Sequence, residues 1–385
     1  MSALRAGARA TAADRTLELL ASQIGRPLGE VETPVATVDL DRLEANLRRL
    51  QTYADGHRIK LWPHTKTHKS AEIGMRQVEL GAGGLTVAKT GEAVHFQDAG
   101  APRILVHYPP VGADKWDRLA RLAADGLDLT VAVDGVVAAE GLSAALSRRG
   151  ARASLLVELD VGLHRTGQPT AAGALDLARR LSSLPAVEVA GISAYPGHCR
   201  GDAETIRSRL AAADELMRET RDAFVAAGVA CDRISGGSTP TRYLTHTTCV
   251  NELRAGTYAL LDRNEEEPDG GRDACALLVE ATVVSDTLPG QIVVDAGSKT
   301  LTSDTHDDGD HGELVGQPGA RLRTLNEEHG YVDVSGVEDP PAVGDRVRIV
   351  PNHACGCVNL HDGLLGVRAG VVEGVIPVGA RGLVR

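Results

Sequence analysis

The sequence predicts an α/β protein: a (β/α)8 TIM-type barrel followed by a second, mostly antiparallel β domain. Three observations predict it. Over the first two thirds of the chain, apolar runs of strand length alternate with amphipathic segments of helix length. Eight strands can be counted in that rhythm, the number that closes a parallel barrel. Beyond residue 265 the rhythm stops, and short apolar runs between turn signals take over with no long helix.

Taken in order, residues 1–32 are an Ala/Arg-rich lead-in with one candidate helix at 11–23. Residues 33–39 (TPVATVD) read as a strand available for pairing with the second domain. Residues 40–54 follow with helical spacing at Leu43, Leu47 and Leu50. The barrel strands are 59–64, 84–88, 103–107, 127–134, 154–160, 187–194, 232–236 and 253–261. Helical segments at 90–99, 113–124, 136–147, 170–181 and 203–227 separate most of them. Strands apolar on both faces belong to a parallel sheet covered by helices. The barrel domain is therefore 33–265 and the β domain 266–385, with strands at 276–287, 291–295, 331–337, 345–349 and 364–372.

Composition narrows the function. The chain has 385 residues, more than one typical core requires. A formal charge of -11 argues against a nucleic-acid or anionic-membrane partner. No apolar run reaches about 18 residues, and the first thirty lack a positive segment followed by a hydrophobic one, so the expectation is a cytoplasmic protein. Its six cysteines are scattered apart from Cys355 and Cys357, which suits reduced thiols.

Chemistry concentrates first in residues 61–69, LWPHTKTHK. Lys66 falls between a strand and a helix, which in a barrel is the C-terminal mouth where catalytic groups sit. His64 and His68 flank it; as cations in a shielded setting they would lower the amine pKa towards the range in which it attacks carbonyls. The same run also reads as a solvated basic turn. Later strand ends carry Asp160 to Arg165, then Tyr195 with His198, then Ser235-Gly236-Gly237-Ser238-Thr239. That last loop can offer N–H groups and hydroxyls to a phosphate, or be a plain turn. Far away, His353 and Cys355 stand two apart, on one face if the segment is a strand, and make an imidazole–thiolate pair suited to zinc or a similar ion. The alternative is a reduced core cysteine beside a satisfied histidine. Cys357 is a candidate third ligand that reads better as packing.

Six pieces together resemble the D-threonine aldolase and D-serine dehydratase family: PHTKTHK, the GGST loop, ELRAGTY at 252–258, VDAGSK at 294–299, EHG at 328–330 and PNHAC at 351–355. These are fold-type III pyridoxal-phosphate enzymes related to alanine racemase in their barrel, and the resemblance runs from about residue 33 to the C-terminus. It implies pyridoxal 5'-phosphate as cofactor, with Lys66 as the Schiff-base lysine. It puts Ser235, Gly236, Gly237, Ser238, Thr239 and Tyr258 on the phosphate, Arg165 near the pyridine ring, and Tyr195 also on the cofactor. It further implies a divalent metal, zinc or manganese, on His353 and Cys355, a small β-hydroxy-D-amino acid as substrate, and a homodimer.

Two reactions diverge within the resemblance. Dehydration removes the α-proton to Lys66 and the β-hydroxyl, giving a 2-oxo acid and ammonia; retro-aldol cleavage gives glycine and an aldehyde. The aldolase branch resembles His-x-Asp at the metal pair and has a His directly after the tyrosine. Here the pair is His353-Ala354-Cys355, and Pro196 follows Tyr195, with His198 two further on as the candidate base. Both departures favour a D-serine-dehydratase-like enzyme, with the aldolase as the alternative. An amino-acid racemase is more distant, since it needs a second proton-transferring residue and no metal pair.

Overall fold

The structure, a computed structural model, describes residues 11–385. The described residues form two compact units, one of residues 46–258 with 382–385, the other of 11–45 with 259–381. Helix α1 (Ala12–Ala21) starts at Thr11, whose hydroxyl accepts from the Asp14 N–H while the Asp14 carboxylate accepts from the Thr11 N–H. Strand β1 (Val35–Asp39) then runs into α2 (Leu40–Gly56). The first ten residues of the lead-in lie outside the described residues.

The barrel rhythm follows: β2 (Lys60–Leu61), α3 (Ala71–Glu79), β3 (Leu85–Val87), α4 (Thr90–Asp98), β4 (Arg103–Val106), α5 (Ala113–Ala124), β5 (Asp128–Val133) and α6 (Val136–Arg149). It continues with β6 (Ala153–Leu159), α7 (Ala171–Ser182), β7 (Val187–Ala194), α8 (Ala203–Ala226), β8 (Arg233–Gly236) and β9 (Glu252–Leu253). All eight strands are parallel, in the order β2-β9-β8-β7-β6-β5-β4-β3. Hydrogen bonds from Gly83 N–H to Leu61 O, Thr86 N–H to Pro63 O and Thr65 N–H to Thr86 O join the two ends and close the ring. Helix α5 shows why the helices stay on the outside: Leu119 and Leu122 are buried, one turn apart, and each such burial stabilises by roughly 1.5–3 kcal/mol. The last barrel strand is shorter than the expected 253–261, because Gly256 brings the chain against His64 O and a 3-10 turn follows at Thr257–Ala259.

One glycine matters for the sheet. Gly191 has φ +151° at a bulge in β7, and a Cβ there would stand 1.9 Å from Arg233 O on β8.

In the other unit, β10 (Leu277–Leu288) is the longest strand. Its first half lies between β1 and β15 (Arg346–Pro351), and its second half pairs with β11 (Gln291–Val294). After α9 (Ser298–Leu301), β12 (Gly312–Leu314) joins β15, while β13 (Arg321–Leu325) and β14 (Gly330–Asp333) extend the sheet beyond β11. Helix α10 (Ala354–Val358) precedes the hairpin β16 (Gly363–Arg368) and β17 (Val371–Pro377). The expected single strand at 364–372 is this hairpin: Ala369 and Gly370 both have positive φ, as a two-residue turn requires. β1 pairs antiparallel with β10 and parallel with β16. Among the described residues no helix is long and apolar enough to cross a membrane.

Candidate active site

A cavity of about 240 Å³ opens in the barrel unit, and its polar wall comes from the C-terminal ends of the strands. Lys66 follows β2, Lys89 follows β3, His107 follows β4, Glu158 lies at the end of β6 with Arg165 beyond it, Tyr195 follows β7 and Arg254 follows β9. Lys66 Nζ lies 5.4 Å from the Tyr195 ring centroid, and the Arg165 guanidinium 5.0 Å from the same ring. The structure therefore brings together Lys66, Arg165 and Tyr195.

The two histidines flanking Lys66 are not the cations that the sequence suggested. Both are buried, His64 at 8% and His68 at 0% exposure. Burial, then the charge of Lys66, keeps His64 well below its ordinary range, and burial holds His68 down to about 4. Positive charge in the cavity comes instead from Lys89, Arg165 and Arg254.

Among the wall residues not singled out from the sequence as site residues are His107, Glu158 and Arg254. Glu158 Oε2 accepts from Ser193 Oγ at 2.5 Å and stands 2.9 Å from His107 Nε2. Arg254 Nη2 lies 2.9 Å from that same Nε2 and donates to Ala194 O at 2.8 Å. A neutral imidazole can donate to the carboxylate or accept from the guanidinium through Nε2, not both. Burial opposes the charge on Glu158, but His107 and Arg254 outweigh it and hold the carboxyl down to about 2. Arg254 is pulled down to about 10 by burial and stays cationic at neutral pH. A lone acid in the apolar run SLLVEL was the available signal for Glu158.

The remaining expected cofactor residues are buried but stand outside the cavity wall. Ser235 and Gly236 end β8 and Gly237, Ser238 and Thr239 turn away from it; all five are buried, with Gly237 at φ +84°. Arg242 Nη1 donates to Thr239 O, placing a cation under that turn. Tyr258 is buried, and its hydroxyl accepts from Gln77 Nε2 at 2.9 Å, leaving its own proton to donate. Pyridoxal phosphate fits this set. Ser235 Oγ and Arg254 Nη1 are buried with no protein partner, as atoms awaiting a polar ligand would be. His198 does not line the cavity: its ring packs where a Cβ on Gly162 would meet it, and its Nδ1 is buried without a partner.

In the other unit, His353 and Cys355 meet by a different route from the one expected. They are not on one face of a strand; His353, in extended conformation, caps α10 and Cys355 lies in its first turn. The Cys355 side chain bonds His353, and this contact, with Asp262 and Asp304 nearby, raises the imidazole to about 9. His353 Nδ1 lies 3.0 Å from Asp304 Oδ2. An imidazole and a thiol in contact, among carboxylates that favour positive charge, fit a divalent cation of the zinc type. Only two protein donors are involved; among the described residues no group of three or more His, Cys, Asp or Glu forms a metal centre. Cys357 is fully buried, with Sγ 3.2 Å from Thr300 O.

Comparison with known proteins matches residues 38–263 to the family described as alanine racemase, N-terminal domain, and residues 276–367 to a putative serine dehydratase domain. A D-threonine aldolase of Arthrobacter sp is 38% identical over 94% of this chain and 96% of its own. The crystal structure of D-threonine aldolase from Filomicrobium marinum superposes with a TM-score of 0.87 at 32% identity, covering 94% of this chain and 99% of that one. D-threo-3-hydroxyaspartate dehydratase from Delftia sp. HT23 gives a TM-score of 0.83 at 29% identity, covering 91% and 98%. Its solved variants include a histidine and a cysteine, two positions apart, each replaced by alanine, the cysteine variant in a metal-free form. The chain belongs to the D-threonine aldolase and D-serine dehydratase family of fold-type III pyridoxal-phosphate enzymes, and is a lyase of that family.

Proposed function

We propose that this chain is a pyridoxal-phosphate- and divalent-metal-dependent lyase that eliminates water from β-hydroxy-D-amino acids, releasing a 2-oxo acid and ammonia. The observation that carries the reading is Lys66 at the mouth of the first barrel strand, in a cavity shared with Arg165, Tyr195 and Arg254. When bound, the cofactor withdraws electrons from the substrate's α-carbon. Lys66 holds the cofactor and takes the α-proton at Nζ. Arg165 and Tyr195 orient the ring, while Ser235 to Thr239 and Tyr258 bind the phosphate through neutral donors. The Glu158–His107–Arg254 network keeps the wall fixed and dry. His353 and Cys355 hold zinc or manganese, a Lewis acid for the departing hydroxyl.

Two observations support elimination over retro-aldol cleavage. The His-x-Cys pair has the spacing of the two residues varied in the Delftia dehydratase structures. His198, the base that cleavage would need at the β-hydroxyl, stands outside the cavity wall. The 38% identity to a D-threonine aldolase favours the alternative, retro-aldol cleavage to glycine and an aldehyde. D-threonine with pyridoxal phosphate and zinc or manganese decides between them. We expect 2-oxobutanoate and ammonia; glycine and acetaldehyde would make the enzyme an aldolase, and epimerisation alone would remove the metal pair from the chemistry.

A further inference from the structure

Within the PHTKTHK run, Lys66 has a task in the proposed reaction and His68 has none. His68 is fully buried, and its Nδ1 accepts the Ser70 N–H at 3.2 Å. Burial holds the ring down to about 4, so it is neutral and its single proton sits on Nε2. That N–H meets the side chain of Gln77 on α3, itself buried. His68 Nε2 and Gln77 Oε1 are both buried, and neither has another partner. The tautomer decides which way the amide stands. With Oε1 towards His68, an N–H meets a carbonyl; turned over, two N–H donors would oppose each other in a dry interior. The amide nitrogen is thereby committed to Tyr258, donating to its Oη at 2.9 Å. Burial pushes the Tyr258 hydroxyl well above its ordinary range, so it stays protonated. Among the described residues that proton has no protein acceptor. Ser235 Oγ, of the proposed phosphate turn, is likewise buried without a partner.

We propose that Gln77 is a positioning residue for the cofactor phosphate: held in one orientation by His68, it makes Tyr258 a donor whose proton is reserved for a phosphate oxygen. This rests on the lyase reading above, through the cofactor that reading requires. Accepting from the Gln77 amide also polarises the phenol, which strengthens the bond that its own proton makes. The chain from Ser70 through His68 and Gln77 to Tyr258 is neutral throughout, so it supplies direction and no charge. The cation at this end is Arg242, under the turn.

The test strips the full chain of cofactor and titrates it with pyridoxal phosphate and with pyridoxal, which keeps the ring and aldehyde and lacks the phosphate. The absorbance of the bound compound gives both dissociation constants, and their ratio isolates the phosphate contacts without any turnover. Tyr258→Phe should lower the preference for the phosphorylated form on the order of ten-fold. Gln77→Met keeps the bulk without the amide and should lower it roughly three- to ten-fold. Added to Tyr258→Phe, it should lower the preference no further, since Gln77 acts only through that hydroxyl. Gln77→Glu, nearly the same shape, is the second variant: its carboxylate draws the phenol proton inward and should cost at least as much as Tyr258→Phe. Equal weakening of both compounds in Gln77→Met would make Gln77 a packing residue and overturn the proposal, as would a full second loss in the double variant. A chain that takes up neither compound fails the lyase reading and this one together; a chain that binds both, with its preference untouched by either Gln77 variant, fails this one alone.

Discussion

Replacing Glu158 by Gln tests whether the one acid in the cavity wall holds the barrel together electrostatically. Gln keeps the shape and can still accept from Ser193, but it removes the charge that His107 and Arg254 face. The Glu158 carboxyl is held from 4.5 down to about 2, which is worth up to about 3 kcal/mol of stability at neutral pH. The sign follows from the depressed acid: the contribution is complete above the unfolded value of 4.5 and is lost as pH falls towards the folded one. At pH 3, about 2 kcal/mol of it is gone. Both tryptophans, Trp62 and Trp116, lie in the barrel unit, so urea unfolding followed by tryptophan fluorescence reports on that unit. Glu158→Gln should be less stable than the parent by up to about 3 kcal/mol at pH 7, with the gap narrowing by about 2 kcal/mol at pH 3. Comparing the two chains at each pH cancels the titration of groups that do not interact with Glu158; His107, which does, titrates as part of the same pair. A gap of the same size at both pH values, or none at pH 7, would refute the reasoning.

Two further outcomes are expected. His353→Ala should lose its bound zinc or manganese by elemental analysis and fall in turnover on the order of 100- to 1000-fold, while the visible absorbance of the cofactor remains; an active, metal-free variant would remove the metal from the reaction. Gly191→Ala should lower the unfolding free energy, measured by fluorescence-detected urea unfolding, by at least roughly the 1–3 kcal/mol that a backbone forced from its preferred region costs, because its Cβ would meet Arg233 O at 1.9 Å; a parent-like stability would show that β7 and β8 can part there without cost.

Much of the barrel was legible because its determinants are local. Most strands and the helix after them fall within about 30 residues, so hydrophobic period and turn residues announce them in order. What the ring brings together was not legible. His107 and Arg254 meet across 147 positions, and nothing near either marks the other. Lys66 was visible from its place between strand and helix, but its flanking histidines misled. Their sequence setting shows two titratable rings beside a lysine, and only the folded chain shows that burial keeps both neutral.

The proposed metal pair shows how a spacing read from sequence can sit in a different geometry from the one expected. A separation of two suits one face of a strand, yet α10 begins between His353 and Cys355 and joins them through a helix start. Two backbone features set that start. The buried Asp262 carboxylate accepts the Ala354 N–H at 2.7 Å, so the first helical residue is tied to a side chain 92 positions earlier. Asn352 donates to Asp304 O and Asp310 O, fixing the approach to His353 from the segment that also supplies the Asp304 carboxylate. The acidic stretch at 304–310, opaque in the sequence, thus has a physical part: it anchors the turn and orients the His353 imidazole through Nδ1.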